Sequence, residues 1–400
     1  MQLTTEEEKA LNGEFGETLS VAYRILLAIG NANDAEKLIP IKWAHVSGVN
    51  YNTIGKSGEE FLKEISSEGK KVMIPTTLNP MGFDSTKKNI GLTEEFVNNQ
   101  LSITDSYKKL GVNMSFTCIP YEIFSLPKKG EYASFAESNA AVFLNSILNI
   151  KTNKESALSS LASAITGKTP YSDLLIEENR KSKIMIKPEL STDESDALGQ
   201  VDTFNLNELD FGLLGYYAGK VSKESCVGID CKKDQVDIVK MKSLSAGMGT
   251  SGICGMFKTE EDSMTEKISF GKKERESVFD ELNTSEMGDI IVLGSPQLGM
   301  SEINLLDNMI HGKKFKKKCM IFCAKPVYEI AKENESLYRL EKAGCEFFCD
   351  SCTCLTPLIT KDKYDSITTN SVKCSYYMKH SNKVGVSLKN LNSIVKENTI

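Results

Sequence analysis

The chain has 400 residues, of which 40% are hydrophobic and 26% are charged, a composition typical of a globular protein with a large core and more than one domain. Its formal net charge of -6 and isoelectric point near 5.5 argue against a polyanion-binding surface, so we expect no nucleic-acid partner. The one basic run, KKFKKK at 313–318, precedes a predicted strand and is interpreted as solvated.

No apolar stretch approaches the roughly 18 residues that a membrane span needs, and the N-terminus MQLTTEEEKAL is acidic where a signal peptide is basic. We therefore predict a cytoplasmic protein with no membrane partner.

Cysteine and histidine usage narrows the chemistry further. The chain has 11 cysteines and no export signal, which argues against a disulfide framework. Its 3 histidines, His45, His311 and His380, are too few to support a catalytic triad or a histidine-rich metal site. The phosphate-binding pattern GxxxxGK[ST] does not occur in the sequence.

Short strands and helices are predicted to alternate along the first half of the chain. KKVMIP at 70–75 is an apolar run that ends at a proline, which is typical of a short strand. Apolar residues recur at helical spacing over 93–110 and predict a helix there. The run SFTC at 115–118 predicts a strand that delivers Cys118 to the carboxyl end of a sheet, and a helix is expected from Glu137 onward.

The segment 286–354 has the clearest pattern of alternating elements. It contains a strand DIIVL, a loop GSPQLG, a helix over 301–310, a strand CMIFCA, a helix over 326–343 and a strand EFFC. Strands that alternate with helices at this spacing indicate βαβ units and a parallel sheet. The chain is therefore predicted to be an α/β protein.

Polar segments indicate where domains meet. Residues 172–206 and the charged run 258–277 are both candidates, although such runs are usually solvated helices and loops. We place one boundary near residue 200, so that residues 1–200 and 201–400 form two halves.

Polar side chains follow several of the predicted strands. In open α/β sheets, ligands bind at the carboxyl ends of the strands. The segment PTTLNP offers Thr76, Thr77 and Asn79, which can hold a carboxylate, although a plain turn also uses Asn-Pro. His45 and Ser47 lie in the loop-like segment AHVSG, where a structural role is equally open. The predicted helix that follows SFTC carries more polar residues than a helix crossing a core would: Glu137, Ser138, Asn145 and Ser146.

Two segments of the second half add candidates for anion binding. GTSG at 249–252 is a run of small residues in which the backbone N–H groups of Thr250 and Ser251 can form an anion nest. In TNSVK, Ser371 and Lys373 pair a hydroxyl with a cation that can neutralise a carboxylate or phosphate. The alternative for Lys373 is an exposed lysine on a strand.

The densest group of cysteines lies at 345–354. Cys349 and Cys352 have CxxC spacing, which structural zinc sites also use. A second pair at zinc-finger spacing is missing, because Cys319 and Cys323 lie within a predicted strand. A zinc-stabilised scaffold stays open as a weaker interpretation.

Eight motifs occur in one order along the chain. They are AHVSGVNYNTIG at 44–55, PTTLNPMGFD at 75–84, the region 117–153 with TC-x-PY, GE, ESNA, NS and TN, AITGKTP at 164–170, SAGMGTSG at 245–252, GSPQLGMSE at 294–302, CDSC at 349–352 and TNSVK at 369–373. With these motifs the chain resembles, nearly end to end, the aconitase X family of dehydratases related to aconitase. The resemblance implies an aconitase-like, multidomain α/β fold with parallel sheets flanked by helices.

The resemblance also implies an activity and a cofactor. It points to a hydro-lyase that removes water from a small hydroxy acid, with an iron or iron-sulfur centre as Lewis acid. Three thiolates hold the cluster in such dehydratases, and Cys118 and Cys352 match two of the three positions. The third metal-ligand position is Ser295, where the family carries cysteine. Candidate replacement ligands are Cys349, Cys354 and Cys254.

A partner and a substrate class follow from the same resemblance. In many family members a small swivelling domain is a separate polypeptide that contributes a serine acting as the base, so we expect a small subunit and a heterodimer. Family substrates include 5-phosphomevalonate and cis-3-hydroxy-L-proline, and no single residue decides between them. We expect Ser371 and Lys373 of this chain to take part in catalysis. Candidate cations for anionic substrate groups are Lys151, Lys168, Arg180 and Lys373. The alternative function is a degenerate family member that binds a ligand or partner without catalysis.

Overall fold

The structure, a computed structural model, describes residues 1–87, 91–189, 206–231, 236–260, 266–354 and 356–400. The chain divides into two compact units: the N-terminal unit comprises Met1–Gly82 and Lys87–Arg180, and the C-terminal unit comprises Phe83–Thr86 and Lys181–Ile400. The boundary that was predicted near residue 200 falls outside the described residues. Among the helices that the structure describes, none is both long and apolar enough to cross a bilayer, and the cytoplasmic location stays a prediction.

The N-terminal unit combines helices with short strands. Its helices are α1 (Thr5–Leu11), α2 (Glu17–Ala32), α3 (Tyr51–Ile65), α4 (Glu94–Lys109), α5 (Pro120–Ile123), α6 (Ser138–Phe143) and α7 (Ala157–Thr166). Its strands are β1 (Leu38–Pro40), β2 (Ala44–Val46), β3 (Thr76–Leu78), β4 (Ser134–Phe135) and β5 (Lys168–Pro170). Strand β2 lies between β3 and β4 in a parallel sheet, and β1 pairs with β5 in antiparallel fashion. The parallel sheet brings the carboxyl ends of β2, β3 and β4 to one edge.

Helix α4 confirms the helix predicted over 93–110 and shows how the sequence sets the packing of this unit. Thr93 caps the helix, because its hydroxyl accepts a hydrogen bond at 3.2 Å from an N–H of the first turn. Ile103 on its buried face joins the hydrophobic core of the unit. The polar member of the buried stripe, Gln100, donates to the Val49 carbonyl at 2.7 Å and accepts from the Gly82 N–H at 3.1 Å. This buried amide is therefore satisfied on both sides.

The C-terminal unit holds its strands in parallel sheets. Its strands are β6 (Ile184–Pro188), β7 (Cys226–Ile229), β8 (Met256–Lys258), β9 (Glu266–Phe270), β10 (Ile290–Leu298), β11 (Cys319–Cys323), β12 (Cys345–Cys349), β13 (Ser366–Thr369) and β14 (Gly385–Leu388). Its helices are α8 (Glu208–Val221), α9 (Ile238–Ser251), α10 (Lys272–Leu282), α11 (Met300–Ile310), α12 (Lys325–Glu333), α13 (Ser336–Lys342), α14 (Val372–Tyr377) and α15 (Leu391–Asn398). One sheet has the strand order β8-β7-β6-β9, and the other has the order β12-β11-β10-β13-β14.

The sheet built around β10 confirms the predicted βαβ pattern. Strands β10, β11 and β12 are parallel neighbours, and α11, α12 and α13 lie between them in the chain. These helices pack on the strands that they connect, which buries the apolar faces of both. Strands β13 and β14 extend the same sheet in parallel on the other side of β10. The predicted fold class, α/β with parallel sheets flanked by helices, is therefore correct.

Two strands predicted in the first half differ from the structure. The strand expected over 70–75 begins only at Thr76, since the N–H groups of Val72 and Met73 donate to the carbonyls of Leu110 and Ala164, at the ends of helices. The SFTC run forms no regular strand, because Phe116 has a positive φ of 39° and the Ser115 hydroxyl accepts the hydrogen bond of the Leu78 N–H at 2.8 Å. The run still follows β3, since the Thr117 N–H donates to the Leu78 carbonyl at 2.9 Å.

Two predictions in the second half also need correction. The GSPQLG segment was predicted as a loop, but its first five residues continue strand β10 as far as Leu298. The pairing of β10 with β11 is irregular between Leu293 and Leu298, which accommodates the bend that the glycine and proline introduce. The helix predicted over 326–343 is split into α12 and α13, because Glu335 adopts a left-handed conformation with φ of 60°.

Candidate active site

Four of the predicted site residues in the N-terminal unit form a connected hydrogen-bond network. His45 lies in β2, directly opposite Thr77 of β3, and its Nδ1 is 2.8 Å from the Thr77 hydroxyl. The other ring nitrogen, Nε2, lies 2.8 Å from Oδ1 of Asn79. The Asn79 amide nitrogen in turn donates to Oε2 of Glu137 at 2.8 Å. The carboxyl ends of the strands thus bring together an imidazole, an amide and a carboxylate.

Cys118 is buried, with 1% of its surface exposed. The backbone before it follows β3, as described above. Asn139 of α6 donates from its side chain to the Cys118 carbonyl at 3.0 Å. The ESNA motif therefore fixes the backbone that carries the cysteine, a positioning role for Asn139 that the sequence interpretation missed.

Other predicted site residues of this unit serve the local structure. The Thr76 hydroxyl donates to the Ile74 carbonyl at 2.9 Å, within its own segment. Asn145 donates to the Thr152 carbonyl at 2.7 Å and accepts from Arg180 at 2.9 Å, so its amide is occupied in holding neighbouring backbone. These contacts satisfy the polar side chains within the protein, and the role of Thr76 and Asn145 in substrate binding stays a prediction.

Three further candidates lie close to the network in sequence. Ser47 follows β2, and its carbonyl accepts a hydrogen bond from the Tyr107 hydroxyl at 3.2 Å. Ser138 is the first residue of α6, and Ser146 lies in the π-helical turn Leu144–Leu148. Their role in substrate binding stays a prediction.

The candidate cations of the N-terminal unit have protein partners. Lys151 forms an ion pair with Glu177 at 2.7 Å, and Lys168 forms one with Glu7 at 2.6 Å. Arg180 is buried and bonded to Asn145, as noted above. A substrate phosphate would have to compete with these contacts.

The C-terminal unit gathers a second group of predicted residues at the strand ends of its larger sheet. Ser295 lies in β10, and its hydroxyl oxygen is 2.7 Å from the sulfur of Cys354. Cys352, in the segment after β12, hydrogen-bonds with Cys354 and places its sulfur 3.7 Å from the Gly294 carbonyl. Burial, together with the Cys352 thiol, raises the pKa of the Cys354 thiol well above its ordinary value. Position 295 and two cysteines are thus neighbours.

The TNSVK motif reaches the same group. The Ser371 hydroxyl donates to the Ser295 carbonyl and accepts from the Cys374 N–H at 3.0 Å, which caps α14. Lys373 lies in the first turn of α14 and is 4% exposed, so the alternative of an exposed strand lysine is wrong. The Cys354 sulfur lies 4.0 Å from the Lys373 carbonyl. Both predicted catalytic residues are therefore held against the Ser295 and Cys354 pair.

A small pocket of about 20 Å³ lies at this group, and a buried lysine that the sequence interpretation missed lines it. Its lining includes Ser295, Ser371, Lys242 and Glu302. Lys242 is 2% exposed, forms an ion pair with Glu302 and donates to the Gln297 carbonyl at 2.7 Å. The available signal was a lysine within a helical run of small and apolar residues, MKSLSAGMG. Such a buried cation needs the partners that the structure supplies.

The other two candidate replacements for the third ligand lie in different surroundings. Cys349 is opposite Cys323 in the paired strands β11 and β12, and their thiols hydrogen-bond to each other. Cys254 points its sulfur at the carbonyls of Ser225 and Met256, at 3.5 and 3.2 Å. Of the candidates, Cys354 is the one that contacts position 295.

The GTSG segment does not have the geometry of an anion nest. Thr250 and Ser251 form the C-terminal turn of α9, where their hydroxyls donate to the helix carbonyls of Ala246 and Met248. A helix C-terminus presents carbonyl groups and a partial negative charge, which disfavours an anion. The same segment, GMGTSG, matches a GxGxxG pattern, but it lies at the end of a helix where a dinucleotide site needs the beginning of one.

The side-chain donor atoms around Ser295, which are sulfur and oxygen, are of the kinds that can bind an iron or iron-sulfur centre. Among the described residues, no three histidine, cysteine, aspartate or glutamate side chains already form a group able to hold a metal ion. The group does contain two neighbouring sulfur atoms, of Cys352 and Cys354, next to the Ser295 hydroxyl. Thiolates are the ligands that iron-sulfur centres prefer. The zinc scaffold has less support, because the Cys349 thiol of the CxxC pair is hydrogen-bonded to the Cys323 thiol in the sheet.

Gly294 is expected to be essential for placing Ser295. Its φ of 112° is a conformation that glycine adopts readily, and an added Cβ would overlap the Phe322 carbonyl. We expect Gly294→Ala to destabilise the protein by about 2 to 4 kcal/mol, measured as a lower melting temperature. The matched control is Gly312→Ala, which has a φ of 83° with no atom within 4 Å of the new Cβ and should cost only about 1 kcal/mol. Equal losses in the two variants would contradict the role of the Phe322 contact.

Comparison with known proteins gives matches along the whole chain. Family models described as the Aconitase X first, second and third domains match residues 1–178, 183–280 and 288–400. The phosphomevalonate dehydratase large subunit of Methanocaldococcus jannaschii is 35% identical, and the alignment covers 99% of this chain and 100% of that protein. The cis-3-hydroxy-L-proline dehydratase of Hypocrea jecorina is 30% identical, with 94% of this chain and 65% of that protein covered. The crystal structure of Thermococcus kodakaraensis aconitase X in its holo-form superposes with a TM-score of 0.87 at 32% identity and covers 100% of both chains.

The fold, the strand-end residues and these relatives define a multidomain α/β hydro-lyase, that is, a dehydratase that breaks a carbon–oxygen bond. The chain belongs to the aconitase X family. The resemblance seen in the sequence motifs is therefore confirmed.

Proposed function

We propose that this chain is the large subunit of a dehydratase that removes water from 5-phosphomevalonate. The observation that carries the proposal is the full-length alignment, at 35% identity, with a phosphomevalonate dehydratase large subunit. The cis-3-hydroxy-L-proline dehydratase aligns over only 65% of its length. A large subunit also calls for a small one, and we propose that the small swivelling-domain subunit joins this chain in a heterodimer.

The proposed reaction is a simple elimination. In 5-phosphomevalonate the hydroxyl is on C3 and the carboxylate is attached to C2. A base removes a proton from C2, the C3–O bond breaks, and the hydroxyl leaves with a proton as water, so that a double bond forms between C2 and C3. The base is proposed to be a serine of the small subunit, as the family resemblance implies.

The difficult part of this reaction is the departure of hydroxide. An iron or iron-sulfur centre, when bound, supplies a Lewis acid for the leaving oxygen. Cys352 and Cys354 are the proposed thiolate ligands in the C-terminal unit, and Cys118 remains a predicted ligand of the centre. Ser295 occupies a ligand position with an oxygen donor, 2.7 Å from the Cys354 sulfur.

The protein's own groups bind and orient the substrate. Ser371 bonds to the Ser295 carbonyl and Lys373 follows it in the first turn of α14, and we propose that this hydroxyl and this cation bind an anionic substrate group. In the N-terminal unit, Asn79 donates to the Glu137 carboxylate and is itself bonded to His45, which gives the site a fixed acceptor for a substrate hydroxyl.

The test is an assay of the reconstituted protein. The chain should be purified without oxygen together with its small subunit, analysed for iron and sulfide, and given each of the two hydroxy acids in turn. We expect formation of the unsaturated acid from 5-phosphomevalonate. Turnover of cis-3-hydroxy-L-proline alone would contradict the assignment of 5-phosphomevalonate as the substrate. A metal-loaded complex that turns over neither acid would favour the non-catalytic alternative.

A further inference from the structure

The hydrogen-bond network around His45 extends further than the predicted site residues. The indole N–H of Trp43, the only tryptophan in the chain, donates to the Thr77 hydroxyl oxygen at 3.2 Å. The chain of contacts therefore runs from Trp43 through Thr77, His45 and Asn79 to Glu137. It begins at a group that can only donate, an indole N–H, and ends at a group that accepts, a carboxylate.

The carboxylate end fixes the direction of the last two hydrogen bonds. Because the Glu137 carboxylate accepts, Asn79 must turn its NH₂ group toward it, at 2.8 Å. The Asn79 carbonyl oxygen then faces His45, and an oxygen acceptor requires a proton on Nε2 of the imidazole. The opposite orientation of the amide would place two oxygen acceptors within 2.8 Å of each other.

The indole end fixes the first two hydrogen bonds. Since Trp43 donates to the Thr77 oxygen, the Thr77 hydroxyl hydrogen is available for Nδ1 of His45, at 2.8 Å. The other acceptor near this hydroxyl is the Ala44 carbonyl, at the longer distance of 3.4 Å. Nδ1 is then an acceptor without a proton.

Burial favours the same state of the imidazole. His45 is 0% exposed and stacks on Phe135 with ring centroids 5.4 Å apart. A positive charge in such a place costs desolvation energy, whereas the neutral ring has a complementary partner at each nitrogen. One arrangement of protons therefore satisfies every member of the chain.

We propose that Trp43 and Thr77 are positioning residues that hold His45 as the neutral tautomer with its proton on Nε2. Through Asn79, this tautomer fixes the orientation of the Glu137 carboxylate for the substrate. The assignment of Glu137 to substrate binding rests on the proposed function, but the state of His45 does not. Neither Trp43 nor Thr77 needs to touch the substrate for this role.

The state of His45 can be measured directly. The full chain, labelled with ¹⁵N-histidine, should be examined by multiple-bond ¹H–¹⁵N correlation spectroscopy, with His45→Gln identifying the signals among those of 3 histidines. We expect a protonated Nε2 and an unprotonated Nδ1 at neutral pH. A proton on Nδ1, alone or together with one on Nε2, would overturn the proposal.

Variants of Thr77 separate positioning from general structural effects. Thr77→Val keeps the shape but removes the hydroxyl, so we expect both tautomers to appear and kcat to fall by about 10-fold to 100-fold. Thr77→Ser restores a hydroxyl and should restore the single tautomer. The matched control is Ser134→Ala in β4, which removes a fully buried hydroxyl with no hydrogen-bond partner among the residues that the structure describes. A single tautomer that persists in Thr77→Val would contradict the role of Thr77.

Trp43 is tested in the same way. Trp43→Phe keeps an aromatic ring and removes the N–H, which leaves the Thr77 hydroxyl free to turn toward the Ala44 carbonyl. We expect a smaller population of the second tautomer than in Thr77→Val, and a spectrum identical to that of the wild type would remove Trp43 from the proposal. If the tautomers respond as expected but the reconstituted protein dehydrates neither hydroxy acid, the proposed function fails and the inference about His45 stands.

Discussion

Replacing either Cys118 or Cys352 with alanine is expected to abolish iron binding and dehydratase activity. Each substitution removes a proposed metal ligand that lies in a motif of the family, and hydroxide is a poor leaving group without a Lewis acid. The loss of several kcal/mol of stabilisation that a metal ion gives to the leaving oxygen corresponds to a rate decrease of about 1,000-fold or more. Iron and sulfide analysis of protein purified without oxygen measures the first effect, and the dehydration assay measures the second.

A buried cysteine elsewhere serves as the control for these variants. Cys226 in β7 is 1% exposed, the same as Cys118, so Cys226→Ala makes a comparable cavity. It should lower the melting temperature but leave the iron content per folded protein unchanged. Full iron occupancy in Cys118→Ala or Cys352→Ala would remove that residue from the metal site.

Those parts of the fold that local sequence patterns determine could be predicted. The strands CMIFC and CEFFC are short apolar runs, and at the start of helix α11 the Glu302 carboxylate accepts from the Gly299 N–H at 2.8 Å. Such signals depend on neighbouring residues alone. The parallel pairing of the strands then follows from the length of the connections between them.

Elements that depend on tertiary pairing were harder to predict. Glycine and proline in GSPQLG favour a loop locally, yet the backbone continues β10, and Leu298 pairs again with Cys323 of β11 after the irregular stretch. The SFTC run has strand composition, but the hydroxyl of Ser115 takes the place of a backbone partner at Leu78. Both outcomes are set by residues that are distant in sequence.

The residues of the candidate site also fall into those that sequence motifs identify and those that only tertiary packing reveals. The motifs identified His45, Thr77, Asn79 and Glu137 by their polar side chains, although strand β2, which carries His45, and strand β4, which precedes Glu137, were not predicted. Trp43 could not be identified in this way, because its role comes from one hydrogen bond across two strands. Lys242 was missed for a related reason: only the packing of α9 shows that it is buried beside Glu302.

The serine at position 295 leads to the second large expected effect, an increase in iron content. An alcohol must lose its proton to bind iron strongly, and its pKa is far above the value of about 8.5 for a cysteine thiol. Since the Ser295 hydroxyl contacts the Cys354 sulfur at 2.7 Å, Cys354 is placed to supply the thiolate that position 295 lacks. We expect Ser295→Cys to raise the iron content, and Cys354→Ser to lower it.

The two substitutions together distinguish replacement of a ligand from a general effect on the fold. If Cys354 substitutes for the missing thiolate, Ser295→Cys should restore iron binding to the Cys354→Ser protein, because one sulfur exchanges position with one oxygen. Cys254→Ser is the control, since Cys254 faces the carbonyls of Ser225 and Met256 and should be dispensable for iron. Purification must be reducing and free of oxygen, because the new thiol would lie next to Cys354 and the pair could otherwise form a disulfide. Iron content that is unchanged in Ser295→Cys would exclude position 295 as a ligand position, and unchanged content in Cys354→Ser would exclude Cys354 as its replacement.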